Sequence, residues 1–208
     1  MEQNHGGEEP LRVLGIVGSL RHGSFNRALM EAAIELEPAG MRIEEFDLGS
    51  IPLYNADLDT DERRPDVVRR LKDAIAEADG LLISTPEYNH GVSGVLKNAI
   101  DWASRPAGTS PLAGKPAAIM GAAPGVLGTA RGQQHLKLVL ISTMALLMPH
   151  PGVVVGQAHE KFDAEGRLIH EPTRDFLATF LRELEAWIRR GERVDGPAQP
   201  DRSVAPLR

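Results

Sequence analysis

The chain has 208 residues, the size of one ordinary domain with a sizeable core. Its 29 acidic and 23 basic residues give a net charge of −6, which argues against nucleic acid or an anionic membrane surface as the main partner. Cysteine is absent, which excludes disulfides, thiolate catalysis and thiolate metal sites, so any redox chemistry would need a bound cofactor.

Both ends of the chain are polar, and we expect mobile tails over 1–10 and 191–208 with one domain over 11–190 between them. The start, MEQNHGGEEP, has no basic region followed by an apolar stretch. It therefore does not resemble a signal peptide, and we expect a cytoplasmic protein. The longest apolar stretch, 136–148, is too short for the ~20 residues of a membrane-spanning helix and predicts a buried helix.

Four short apolar runs predict buried strands, because strands covered on both faces of a parallel sheet are typically continuous apolar runs. The runs are LRVLGIVG (11–18), GLLIST (80–85), PAAIMGAA (116–123) and GVVVG (152–156). A fifth run, MRIEEFDL (41–48), is more polar and alternates in part, which predicts a strand nearer the sheet edge.

Five segments with apolar residues at helical spacing lie after these runs. They predict helices over 25–37, 65–80, 93–103, 130–147 and 173–190. The fourth is apolar on nearly every side from 136 to 148, so we expect part of it to be buried against another subunit. The last helix carries at helical spacing Phe176, Phe180, Leu184 and Trp187 or Ile188. The alternation predicts a doubly wound α/β fold with helices on both faces of a parallel sheet.

The loop after the first strand, GSLRHGSFN (18–26), is rich in short polar side chains. Ligands of open parallel sheets bind outside the carboxyl ends of the strands, and this loop is the usual phosphate site. Ser19, Ser24 and Asn26 can donate hydrogen bonds. Arg21 adds a cation, so the loop suits a phosphate monoester. It lacks the P-loop ending and the GxGxxG spacing, which disfavours a triphosphate or a clamped dinucleotide. The alternative is a plain turn in which Ser24 caps the helix.

Two more loops follow strands at the same sheet edge. The stretch TPEYNHGVSGVLKNAIDW (85–102) carries Tyr88 on a loop that opens a helix, and GAAPGVLGTARG (121–132) is a loop of small residues against which a flat ligand can lie. Together the three loops offer phosphate donors, an aromatic wall and backbone amides. Taken singly, each has a structural alternative, since Tyr88 can simply pack its loop, Pro86 can form a plain turn and glycines permit close helix packing.

In order along the chain, GSLRHGSFN, TPEYN, GVLKNAIDW, PLAGKP and a glycine-rich turn resemble the NADPH-dependent FMN reductase family of flavodoxin-like proteins, most closely its chromate, quinone and azo-dye reductases. The resemblance runs from about Leu11 to Trp187. It implies a five-stranded sheet of order 2-1-3-4-5 with FMN at the switch point, where the strand order reverses. It implies that the FMN phosphate is held by Ser19, Arg21, Ser24, Phe25 and Asn26. It also implies that the ribityl chain and ring are lined by Pro86, Glu87, Tyr88 and Asn89, with Ala122 near the pyrimidine edge.

The chain departs from the family pattern in two places. Relatives often carry serines where Ala122 and Ala123 stand, so backbone N–H groups would have to replace a hydroxyl there. Close relatives tend to carry an aromatic residue in place of Gln134, in a region that contributes to tetramer contacts. A homodimer and a homotetramer therefore both stay open.

The resemblance implies an enzyme that transfers hydride from NADPH or NADH through FMN to a small flat acceptor: a quinone, an azo compound, a metal oxyanion or a free flavin. Because the cofactor carries such chemistry, no catalytic side chain is expected. The seven histidines lack metal-ligand spacing, and no metal site is expected. The alternative is a non-catalytic FMN-binding module, either an electron carrier or a regulatory subunit.

Overall fold

The structure is a computed structural model that describes residues 9–106, 108–150 and 152–191. The tails predicted over 1–10 and 191–208 lie outside the described residues, apart from Glu9, Pro10 and Gly191. No helix in the described ranges is long and apolar enough to cross a membrane.

Strands and helices alternate along most of the chain. In chain order the elements are β1 (Leu11–Val17), α1 (Phe25–Glu35), β2 (Met41–Phe46), α2 (Asp66–Glu77), β3 (Gly80–Ser84), β4 (Glu87–Tyr88), β5 (Gly91–Val92), α3 (Gly94–Ala103), β6 (Pro116–Ala122), α4 (Ala130–Ser142), β7 (Leu146–Leu147), β8 (Val153–Val155) and α5 (Glu171–Gly191). Single turns of 3-10 helix span Ala56–Leu58 and Ala158–Glu160.

The central sheet is parallel, with the order β2-β1-β3-β6 and a fifth position shared by two short strands. At that position β7 pairs with the start of β6, and β8 pairs with its end. The predicted order 2-1-3-4-5 is therefore confirmed. The one strand predicted over 152–156 is only part of the fifth position, because β7 occupies the other part beside the start of β6.

Helices cover both faces of the sheet, as predicted. Successive side chains of a strand point to opposite faces, and along β1 Val13 and Val17 enter the core under α1 and α5. Leu14 and Ile16 enter the second core, under α2, α3 and α4. The loops after β1, β3 and β6 therefore emerge from a sheet that is packed on both sides.

The predicted helix over 130–147 is wrong at its end, because α4 stops at Ser142 and residues 146–147 form β7. Met144 takes a left-handed conformation, with φ +63°. The backbone then closes back on the end of the helix through two hydrogen bonds. Met144 N–H donates to the Ile141 carbonyl, and Ala145 N–H donates to the Leu140 carbonyl. This closure uses neither glycine nor proline, so the apolar run contains no stop signal.

The predicted core face of α5 is correct except at its start. Phe176 is 46% exposed, and the buried residues of the helix are Leu177, Phe180, Leu181, Leu184 and Ile188. The ring of Phe176 lies 5.8 Å from that of His150, at the margin of the core. Spacing alone places Phe176 and Phe180 on one face, but only Phe180 is buried in the core.

Candidate functional site

A cavity of about 410 Å³ lies among the loops that follow β1, β3 and β6. This volume is within the ~300–1,000 Å³ typical of small-molecule sites. The cavity is lined by Ser19, Arg21, Ser24, Phe25, Asn26, Pro86, Glu87, Tyr88, Ala122, Ala123 and Pro124. Of the predicted site residues, Asn89 alone is not among them. The structure therefore brings together residues that are about 100 positions apart in the chain.

The first loop presents positive charge to this cavity. Ser24 is the N-cap of α1, and its hydroxyl accepts a hydrogen bond from Asn26 N–H at 3.2 Å. The first turn of α1 has no acidic residue to offset the positive end of the helix dipole. The Arg21 guanidinium lies 5.8 Å from the centre of the Phe25 ring and makes no ion pair within the described chain. A helix N-terminus beside an uncompensated cation favours an anion.

The side chain of Asn26 is used within the protein. Its Nδ2 donates to the Ala122 carbonyl and its Oδ1 accepts from the Ala122 N–H. The Ser84 hydroxyl donates to the Asn26 carbonyl at 2.9 Å. The sequence predicts Asn26 as a phosphate ligand, and in the structure its amide joins the first loop to the end of β6. The position of Asn26 in the cavity wall is thus fixed by its hydrogen bonds with Ala122 and Ser84.

The backbone amides expected to replace serine hydroxyls near Ala122 are also engaged. Ala122 N–H donates to Asn26, and Ala123 N–H donates to the Val155 carbonyl at 3.0 Å. The next residue, Pro124, has no N–H. The first amides of this loop without a partner in the described chain belong to residues 125–127. A backbone donor from this loop would therefore lie further along the chain than Ala122 and Ala123.

The second loop contains a short β-hairpin that the sequence did not predict. β4 and β5 pair antiparallel, and the two residues between them have positive φ, +50° at Asn89 and +63° at His90. This is the backbone of a tight two-residue hairpin turn, in which asparagine is favoured. Asn89 therefore shapes the turn, and Tyr88, which is 56% exposed, stands beside the cavity.

The Glu87 carboxylate points to the start of α4. Its Oε2 accepts the Gly132 N–H at 2.8 Å, and its Oε1 lies 3.4 Å from His90 Nδ1. The Arg131 guanidinium in turn lies 2.9 Å from His90 Nδ1. Burial acts to raise the pKa of Glu87, but the hydrogen bond from Gly132, the contact with His90 and the backbone of Arg131 outweigh it and lower this pKa below its ordinary value.

Ser93 also organises the site, and sequence analysis overlooked it. Its hydroxyl donates to the Gly18 carbonyl at 2.7 Å and accepts from Leu96 N–H at 3.3 Å, as the N-cap of α3. A serine directly before the helical pattern GVLKNAIDW is an N-cap signal, so its local role was predictable. Its bond to Gly18 was not, because the two residues are 75 positions apart.

The sheet order and the loops gathered at its carboxyl edge define a flavodoxin-like α/β protein. Residues 11–160 match the family described as NADPH-dependent FMN reductase, and the chain belongs to this family. The resemblance seen in the sequence is thereby confirmed.

Relatives extend this assignment over most of the chain. An NAD(P)H-dependent FMN reductase of Pseudomonas aeruginosa is 47% identical over 88% of this chain and 97% of its own length. A 2-hydroxy-1,4-benzoquinone reductase of a Burkholderia species is 45% identical over 86% and 97%, respectively. The solved structure of FerB, a flavoenzyme NAD(P)H:(acceptor) oxidoreductase from Paracoccus denitrificans, superposes with a TM-score of 0.80 and 40% identity, covering 87% of this chain and 98% of that one.

Proposed function

We propose that this protein is an FMN-dependent oxidoreductase that takes hydride from NADPH or NADH and passes it to a small flat acceptor. The observation that carries the proposal is the position of Arg21, which has no ion-pair partner in the described chain. It lies beside the N-terminus of α1, whose first turn has no acidic residue, in a cavity lined by residues from three loops. When bound, FMN supplies the hydride chemistry. The relatives named as FMN and quinone reductases support the same class of reaction.

The first loop fits the phosphate of FMN. A phosphate monoester carries about two negative charges near neutral pH, and Arg21 with the N-terminus of α1 would offset them. Ser24 accepts from a backbone N–H, which leaves its own proton free to donate. Ser19 lines the cavity without a hydrogen-bond partner in the described chain, so its hydroxyl is also free. Asn26 would contribute by holding the loop in place.

The two other loops fit the flat part of the cofactor. Pro86, Tyr88 and the backbone of Glu87 would form one wall, and Ala122 with Ala123 would form another that carries no polar side chain. Because the amides at Ala122 and Ala123 are engaged, hydrogen bonds to the pyrimidine edge would come from residues 125–127. Asn89 would affect the site only by shaping the turn between β4 and β5.

The donor and the acceptor would share one slot beside Tyr88. The loop after β6 begins with small residues, which leaves room for a flat ring. The main contribution of the residues here would be to hold that ring about 3–3.5 Å from the flavin. Quinones are the favoured acceptors, because one relative is named a benzoquinone reductase. Azo compounds, metal oxyanions and free flavins are the other candidates.

The deciding experiment is anaerobic addition of NADPH, and separately NADH, to the purified FMN-loaded protein. Loss of the flavin absorbance with either donor supports the enzyme. Unchanged absorbance with both donors, in a protein that holds FMN, would favour the electron carrier or regulatory module. Initial rates over a grid of NADPH and benzoquinone concentrations should then give parallel double-reciprocal lines, whereas intersecting lines would reject the shared slot.

We also propose that two copies associate through the outer face of α4. Four apolar side chains on this helix and just beyond it are exposed: Leu138 (67%), Ile141 (60%), Met144 (59%) and Leu146 (43%). Clustered exposed apolar residues of this kind mark association sites. A homodimer is the simplest assembly that covers them, and a homotetramer would need a second interface. The cytoplasmic location stays a prediction from the sequence.

A further inference from the structure

We infer that Glu87 is a positioning residue, whose carboxylate caps α4 and thereby holds the β4–β5 hairpin so that Tyr88 stands beside the cavity. The expected effect of Glu87 on FMN binding rests on the proposed function, but its effect on the position of the hairpin does not. Glu87 lines the cavity, and its two carboxylate oxygens are directed to α4 and to His90.

α4 lacks a cap from its own sequence. Its N-cap residue, Thr129, makes no side-chain cap bond, and its hydroxyl accepts from Gln133 Nε2 at 3.0 Å. The first turn of the helix contains no acidic residue. The first N–H groups of an α-helix have no partner within the helix, so they need one from outside.

Glu87 supplies that partner from 45 positions away. Its carboxylate accepts from Gly132 N–H at 2.8 Å and also interacts with the backbone N–H of Arg131. Of the neighbouring donors, Ala130 N–H bonds to Leu127 and Gln133 N–H to Thr129. Glu87 therefore supplies a hydrogen-bond acceptor to the first turn of α4, and a negative charge at this end is favoured by the helix dipole.

The hairpin depends on this contact because it is too short to be stable alone. It has only two paired positions, Glu87 with Val92 and Tyr88 with Gly91. It packs closely on α4 at Gly132, where an added Cβ would lie 3.2 Å from both Glu87 Cβ and the Gly91 carbonyl. The Glu87 side chain is only 13% exposed in this position.

Placing Glu87 also places Tyr88. Successive side chains of a strand point to opposite sides, so a hairpin whose Glu87 faces α4 presents Tyr88 on the other side. The Glu87 carboxylate and the small Gly132 together set how closely the hairpin packs on α4. Loss of either should let Tyr88 move away from the cavity without changing any group that binds phosphate.

The test compares Glu87→Gln with wild type and with Glu62→Gln, which removes the same charge at an exposed turn. Hydrogen exchange of the full chain without FMN measures the hairpin directly. We expect exchange of residues 86–92 to be several-fold faster in Glu87→Gln and unchanged in Glu62→Gln. Gly132→Ala should speed exchange at the same residues, and it serves as the second variant if Glu87→Gln folds poorly. Unchanged exchange in a folded Glu87→Gln protein would overturn the inference, and if that variant does not fold, unchanged exchange in Gly132→Ala would do so.

The FMN dissociation constant, measured by flavin fluorescence titration, tests the effect on Tyr88. We expect Glu87→Gln to raise it roughly fivefold, as for loss of one aromatic contact with the flat ring. In a Tyr88→Ala background the same change should have less than about a twofold effect, because coupled residues are not additive. An equal rise in both backgrounds would overturn positioning through Tyr88. Failure of the wild type to bind FMN would refute the proposed function, while hydrogen exchange would still decide the role of Glu87.

Discussion

Asn26 and Ala122 are 96 positions apart, yet they exchange two hydrogen bonds of 2.9 Å each. The Asn26 amide pairs with the N–H and the carbonyl of Ala122 much as a neighbouring strand would. Ser84 adds a third bond from the end of β3 to the Asn26 carbonyl. These bonds join the start of α1 to the ends of β3 and β6 in one wall of the cavity.

Replacing Asn26 by alanine should lower the free energy of unfolding by about 1–3 kcal/mol, since it leaves two buried backbone groups of Ala122 unpaired. Urea unfolding of the protein without FMN measures this change. Ser142→Ala, which removes an exposed hydroxyl bonded to Val139, should stay within about 0.5 kcal/mol of wild type. Equal stability of Asn26→Ala and wild type would contradict the joining role.

Arg21→Ala should weaken FMN binding at least tenfold, because a hydrogen bond to a charged group is worth about 1.5–3 kcal/mol. Riboflavin, which has no phosphate, should lose little affinity in the same variant. Arg63→Ala, at an exposed turn, is the control for removal of one positive charge. An equal loss for FMN and riboflavin would show that Arg21 does not act on the phosphate.

Ile141→Asp should convert the proposed dimer to a monomer, because it puts a charge in the centre of the exposed apolar face of α4. Sedimentation measures the assembly against the chain mass of 22.5 kDa. Ile169→Asp changes a similarly exposed isoleucine outside α4 and should leave the dimer intact. A wild-type monomer at micromolar concentration, or loss of the dimer only in Ile169→Asp, would refute the proposed interface.

The stability difference between wild type and Glu87→Gln should depend on pH with a definite sign. The folded-state pKa of Glu87 is lowered by its hydrogen bonds, so the charged carboxylate adds stability above the ordinary glutamate pKa. That contribution is lost only as the pH falls through the lowered value. Thermal unfolding should therefore show the full difference from about pH 7 to about pH 5, and a shrinking one below about pH 4. A difference that disappears near pH 6 would contradict this origin.

The framework of the fold could be predicted because it depends on local patterns. Continuous apolar runs located β1, β3 and β6, since strands buried on both faces must be apolar throughout. The same criterion failed over 136–148, where leucine and methionine suit a buried helix and a buried strand equally. Only the left-handed backbone of Met144 separates α4 from β7, and no residue type indicated it.

The sequence could predict which residues line the site. It could not predict which of their polar groups remain free to bind a ligand. The sequence of the first loop already indicated an anion site, because short hydroxyl side chains and one arginine next to a helix start suit a phosphate. Tertiary structure decided that Asn26 is engaged with Ala122 and Glu87 with Gly132. A hydrogen bond needs its partner within about 3 Å. Whether a residue 45 or 96 positions away comes that close depends on how the whole sheet packs, which no local pattern encodes.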